Sequence, residues 1–85
     1  MPAAHRPEYL EFVARLRNAR KGKGLSQQAL GELLGKPQSF VSKAETCERR
    51  LDLIEAAEWC RALGISLDTV LPDSLRATVA KKNTM

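Results

Sequence analysis

The sequence predicts an all-α fold, a compact five-helix bundle with space for a short sixth helix at its C-terminal end. Three observations predict it. Apolar residues recur at helical spacing along most of the chain, no stretch alternates in the period-two manner of a strand, and capping residues punctuate the helical runs at regular intervals. Eighty-five residues make one small domain. A chain of that size is marginal unless its helices pack closely or it dimerises.

The elements follow in order. Residues 9–21 form the first helix, with Tyr9, Val13, Leu16 and Arg20 on one face, Phe12 beside them, and Lys21-Gly22-Lys23-Gly24 at its end. Leu25 and Ser26 supply a hydrophobic staple and an N-cap for a second helix over about 26–34. Leu30, Leu33 and Leu34 form its apolar stripe, and Gly35 closes it where positive φ is easiest to place. Pro37 fits the first turn of a third helix over about 37–46, in which Val41 and Ala44 face the core. After a polar loop over 46–51, Asp52 and Glu55 form a D-x-x-E capping box for a fourth helix over 53–63, ended by Gly64. Its inward residues are expected to be Ile54, Ala57, Cys60 and Leu63, widened by Leu53, Ala56 and Trp59. Ser66 can cap a short fifth helix through about Leu71. Residues 73–85 read either as a further short helix or as a tail that frays at Lys81–Met85. In domain terms, residues 1–8 are a loose arm, 9–71 the folded domain and 72–85 an extension.

Composition excludes several classes. Cys47 and Cys60 are too few for a disulfide framework, and no metal-ligand spacing accompanies them or the lone His5. The expectation is a reducing compartment, a cytoplasmic protein, no metal and no cofactor. No apolar run approaches a membrane span, and the first residues are too short and polar for a signal peptide. Paired carboxylates, a Cys–His set and a phosphate loop are all missing, so an enzyme is not expected. Charge is informative by its distribution. Residues 15–50 carry nine cations and three acids, whereas residues 51–75 carry one cation and five acids. The basic half coincides with the second and third helices, the footprint expected for phosphate binding.

The third helix buries little. Gln38, Ser39, Ser42 and Lys43 stay polar, and amides, hydroxyls and an ammonium suit base edges in a DNA major groove. Leu25-Ser26-Gln27, Leu30-Gly31, Gly35, Gln38-Ser39, Val41-Ser42 and Glu45 resemble the helix-turn-helix of the phage-repressor family, the Cro and lambda-repressor type, also called the xenobiotic-response-element family. Arg49-Arg50-Leu51-Asp52, Ala62-Leu63-Gly64-Ile65 and Leu67 extend the similarity, which covers residues 9–71.

The resemblance implies a sequence-specific regulator of double-stranded DNA, a repressor acting as a homodimer. It implies that Gln38, Ser39 and Lys43 approach the bases; Phe40 either touches a thymine methyl or packs on the second helix. Gln27 resembles the glutamine that binds a backbone phosphate and braces the first residue of the reading helix, here Gln38. Lys36, Lys43, Arg49 and Arg50, with Lys21 or Lys23, supply further cations to phosphates. Arg20 and Glu45 match positions that form a partly buried ion pair in relatives. Leu67, Val70, Leu71, Leu75 and Val79 are the candidate dimer surface, although Leu67 and Val70 equally suit the monomer core. The second functional class is an antitoxin-like interaction module that neutralises a protein partner and also represses its own genes.

Some positions carry alternatives. Gly31 sits where relatives keep a small residue because a larger one would push the third helix off the second; against that, alanine is the better helix former by about 1 kcal/mol, which would make Gly31→Ala stabilising. Cys47 departs from the pattern, standing where a glycine ends the third helix, and a positive φ there would cost on the order of 1 kcal/mol. Arg49 and Arg50 beside it would favour its thiolate and a redox role, against an inert thiol. Ala44 is smaller than the usual residue at its position. Arg6 is either an arm that reaches DNA or solvated, and Glu32 either a polymerase contact or a solvated acid.

Overall fold

The computed structural model describes residues 6–80, leaving aside the side chains of 77–80. Among these residues the chain is helical throughout, with no strand: α1 (Pro7–Gly22), α2 (Gln27–Leu34), α3 (Gln38–Glu45), α4 (Leu53–Leu63), a 3₁₀ turn (Leu67–Val70) and α5 (Asp73–Ala80). Several boundaries differ from expectation. Helix α1 begins at Pro7, because a proline at the first helical position has no amide left to satisfy, so residues 7 and 8 belong to the fold rather than to a loose arm. The expected fifth helix is only the 3₁₀ turn, and the chain then re-enters a helix at Asp73. The first five residues and Lys81–Met85 lie outside the described residues.

Local chemistry accounts for the other ends. Ser26 accepts the Ala29 amide at 3.0 Å and caps α2. Asp52 accepts the Glu55 amide at 2.7 Å while the Glu55 carboxylate accepts the Asp52 amide at 3.0 Å, a closed capping box for α4. Gly35 and Gly64 take φ of 70° and 71° at the two helix ends. Pro37 stands one residue outside α3, as its N-cap.

The core is Leu16, Leu30, Val41, Ala44, Leu51, Trp59, Cys60, Leu63 and Val70. Helix α4 faces it differently from expectation: Ala56, Trp59, Cys60 and Leu63 are buried, whereas Leu53 and Ile54 are 68% and 65% exposed and Ala57 faces solvent. Cys60 and Leu63 fit either orientation of the helix, so Trp59 decides. Burying an indole of about 200 Å² is worth on the order of 5 kcal/mol, more than Ile54 and Ala57 offer. Its Nε1 has no hydrogen-bond partner among the described residues, a cost of about 1–3 kcal/mol that the burial outweighs. On α2, Leu30 is buried but Leu33 is 59% exposed, so the apolar stripe is narrower than expected. Leu51, assigned to a polar loop, is buried; its amide donates to the Tyr9 hydroxyl at 3.0 Å and ties the loop to α1.

The α2–α3 turn is set by Gly31. A Cβ built there would lie 2.7 Å from the Lys36 carbonyl oxygen, in backbone that cannot swing away. The packing argument therefore prevails over helix propensity, and the stabilising reading of Gly31→Ala is corrected.

Candidate nucleic-acid interface

Helix α3 turns about 100° per residue. Val41 and Ala44 are buried, and the Glu45 side chain is 2% exposed, so these three define its inner side. Ser39 and Lys43 project from the opposite side and are exposed. Gln38, also exposed, borders that face on one flank, and half-buried Phe40 borders it on the other. Ser42 is half-buried, and its carbonyl accepts the Thr46 hydroxyl at 3.1 Å.

The Gln38 flank is anchored by a relay that begins in the interior. Arg20 is 6% exposed; its Nε and Nη2 donate to the two oxygens of Glu45 at 2.6 and 3.0 Å. Its Nη1 donates to the Leu25 carbonyl at 2.6 Å, fixing the α1–α2 turn. Gln27 Nε2 then donates to Glu45 Oε1 at 2.9 Å, and Gln38 Nε2 donates to Gln27 Oε1 at 2.7 Å. Four side chains from three helices thus run in series from a buried ion pair to an exposed amide. Because Glu45 accepts from Gln27, the orientation of the Gln27 amide is fixed, and its oxygen must face Gln38.

The Phe40 flank is cationic. The Phe40 ring lies 6.4 Å from the Trp59 ring, with the Arg49 guanidinium 4.7 Å and the Lys36 ammonium 5.5 Å from its centroid. That setting is packing and cation–π contact rather than an open approach to a base. Arg49 is also gripped by Glu55, Nη1 to Oε1 at 2.9 Å and Nη2 to Oε2 at 2.8 Å. These bonds and the Asp52 amide lower the Glu55 carboxyl to about 2 and raise Arg49 above its ordinary value, chiefly through the Glu55 hydrogen bonds. Arg50 stacks 4.3 Å over the Tyr9 ring, at the rim of a different surface. The Arg49–Glu55 pair spans a loop and a helix start at a separation of six, so no helical-spacing rule could have found it.

Cys47 closes α3 with φ of 65°, the left-handed conformation that a glycine takes without strain. The Glu48 amide bonds the Lys43 carbonyl at 2.9 Å across it. Burial raises the Cys47 thiol above its ordinary value and outweighs the opposing field of Arg50, which favours the inert thiol over the redox-active thiolate.

Of the candidate dimer residues, Val70 is buried at 2% exposure and belongs to the monomer core. Leu67 is half-buried against that core, Leu71 is half-buried and Leu75 is 43% exposed; the Val79 side chain lies outside the described residues. Leu67, Leu71 and Leu75 line an apolar groove of about 350 Å³, together with Tyr9, Phe12 and Leu53. Among the described residues no helix is long and apolar enough to cross a membrane, and no group of His, Cys, Asp or Glu is arranged to hold a metal.

This geometry agrees with comparisons to known proteins. A helix-turn-helix family profile matches residues 16–70. No curated protein matches the chain. Among solved structures, an XRE-family like protein from Pseudomonas syringae pv. tomato str. DC3000 is 39% identical, with 88% of this chain and 87% of that one covered and a TM-score of 0.73. The restriction-modification controller protein C.AhdI from Aeromonas hydrophila is 32% identical over 78% of this chain and 100% of its own, with a TM-score of 0.71. The clp gene regulator ClgR from C. glutamicum is 26% identical over 92% and 96%, with a TM-score of 0.72. With its turn, its ion-pair relay and its exposed third helix in place, the chain belongs to the XRE-type helix-turn-helix family of DNA-binding transcription regulators, which are not enzymes.

Proposed function

We propose that the chain is a sequence-specific repressor that binds a near-palindromic operator as a homodimer, with α3 of each copy in the major groove. The observation that carries the reading is the relay from Arg20 through Glu45 and Gln27 to Gln38, which holds an exposed amide at a fixed place beside Ser39 and Lys43. Pre-oriented in this way, Gln38 offers a donor and an acceptor to an adenine edge, Lys43 reaches guanine acceptors, and Ser39 bonds either. Gln27, Lys36 and Arg49 are assigned to phosphates, whereas Arg50, stacked on Tyr9 beside the apolar groove, is not; each contact releases counterions, so affinity falls steeply with salt.

One α3 spans only a few base pairs, which is too little sequence for useful specificity. Two copies with their α3 helices roughly 34 Å apart read successive turns of one face of the duplex. The apolar groove lined by Leu67, Leu71, Leu75 and Leu53 supplies the surface for the second copy, since exposed leucines around a groove are stabilised by being covered. Sedimentation of the full chain tests this. A dimer that Leu75→Glu splits while helicity is kept supports the reading, and a monomer at every concentration, alone and on duplex, contradicts it.

A further inference from the structure

Glu55 places a carboxylate at the cationic edge of the interface, where charge counting alone makes it unfavourable for binding a polyanion. Its bonding suggests a different role. Arg49 Nη1 donates both to Glu55 Oε1 at 2.9 Å and to the Arg50 carbonyl at 2.9 Å, and Nη2 donates once, to Glu55 Oε2 at 2.8 Å. A guanidinium has five N–H donors in one plane. Those without an acceptor among the described residues are Nε–H and the second Nη2–H, which lie side by side on the edge turned away from Glu55. That edge is a fork matched to two oxygens of one phosphate. The guanidinium rests over the Phe40 ring, 4.7 Å from its centroid and backed by buried Trp59, and the two Glu55 bonds hold its rotation. The Arg49 side chain is 42% exposed, and no described residue accepts a hydrogen bond from that edge.

We propose that Glu55 and Phe40 are positioning residues that hold Arg49 so that its Nε–Nη2 edge clamps one backbone phosphate of bound duplex DNA. The inference rests on the duplex-binding reading above and deepens it. Glu55→Gln separates the two accounts, because it adds a net positive charge yet keeps the side-chain acceptor of the capping box. Charge counting makes the variant bind tighter; the clamp makes it bind weaker.

The test uses the full chain, a fluorescent duplex recovered by the wild-type protein from a random pool, and anisotropy titrations over a salt series. Glu55→Gln is expected to bind up to about fivefold more weakly, the scale of a partly exposed charge pair. Its log–log salt slope should be shallower by about one, the loss of one phosphate contact. Phe40→Leu should shift in the same direction. Arg49→Lys keeps the charge without the fork; it should match the Glu55→Gln deficit, and combining the two should add nothing further. A merely structural role would lower the melting temperature and leave the slope unchanged. Equal or tighter binding by Glu55→Gln at an unchanged slope overturns the clamp, as does a deficit that persists in full on the Arg49→Lys background. A wild-type protein that recovers no preferred duplex overturns the regulator reading and the clamp with it, whereas a preferred duplex met by an indifferent Glu55→Gln overturns the clamp alone.

Discussion

Gln38 on α3 donates its side-chain amide to Gln27 on α2 at 2.7 Å, and Gln27 is in turn held by Glu45 at 2.9 Å. An exposed glutamine ordinarily loses considerable rotamer freedom on binding. Here that ordering is done within the free protein. Gln27→Ala should therefore reduce discrimination between a selected duplex and a scrambled one by about tenfold, within the range of a good bidentate base contact. Paired affinity measurements check this; unchanged discrimination removes the bracing role.

Arg20 and Glu45 are a different matter, because both are buried. Removing Arg20 strips the buried Glu45 carboxylate of its two-pronged partner, leaving only Gln27 and Arg17 at 4.0 Å, and costs roughly 3–5 kcal/mol. For a domain this small, Arg20→Ala is expected to unfold most of the chain at room temperature, as read by circular dichroism. A melting midpoint equal to that of the wild type would contradict the assignment.

Gly31→Ala should destabilise, despite the helix propensity of alanine. Its Cβ meets the Lys36 carbonyl oxygen at 2.7 Å, and opening the α2–α3 turn costs about 1–3 kcal/mol, the range for overpacking. Chemical denaturation provides the number, and a gain in stability would show that the turn relaxes freely.

Cys47→Gly should stabilise by on the order of 1 kcal/mol, since the φ of 65° is strained for cysteine and easy for glycine. Thiol alkylation at neutral pH should also be slow at Cys47, because burial holds its thiol above the ordinary value. Rapid labelling in the native state would contradict the second expectation.

The Glu55 carboxyl is depressed from 4.5 to about 2 by Arg49 and the Asp52 amide. A depressed folded-state value means stability that is complete above the unfolded value and lost as pH falls towards the folded one. Wild type and Glu55→Gln should therefore differ in melting temperature at neutral pH, with the gap closing between about pH 4.5 and pH 2. A gap that stays constant across that window would exclude the ion pair as its source.

Where local chemistry decides, the sequence was legible. Ser26, Asp52 with Glu55, Gly35 and Gly64 each act within a few residues, and each stands at the helix end expected of it. The face of α4 was not legible, because Leu53, Ile54, Ala56, Ala57 and Trp59 make its apolar arc nearly continuous and only the space for Trp59 selects a rotation. The 3₁₀ turn at Leu67–Val70 was also missed: Ser66 makes no side-chain cap there, and the Thr69 hydroxyl instead bonds the Ser66 carbonyl at 2.6 Å. At the interface, the Gln38 flank followed from the family resemblance, but the Phe40 flank did not. Its members come from the α2–α3 turn, α3, the loop and α4, and their meeting depends on tertiary packing that no spacing rule encodes.

Selecting bound duplexes from a random pool with the wild-type chain and with Gln38→Ala decides whether α3 reads sequence through Gln38. The expected result is a two-fold-symmetric preference for the wild type, and for the variant the same pattern with one base pair per half-site relaxed. Identical preferences from both proteins, or none from either, would contradict it.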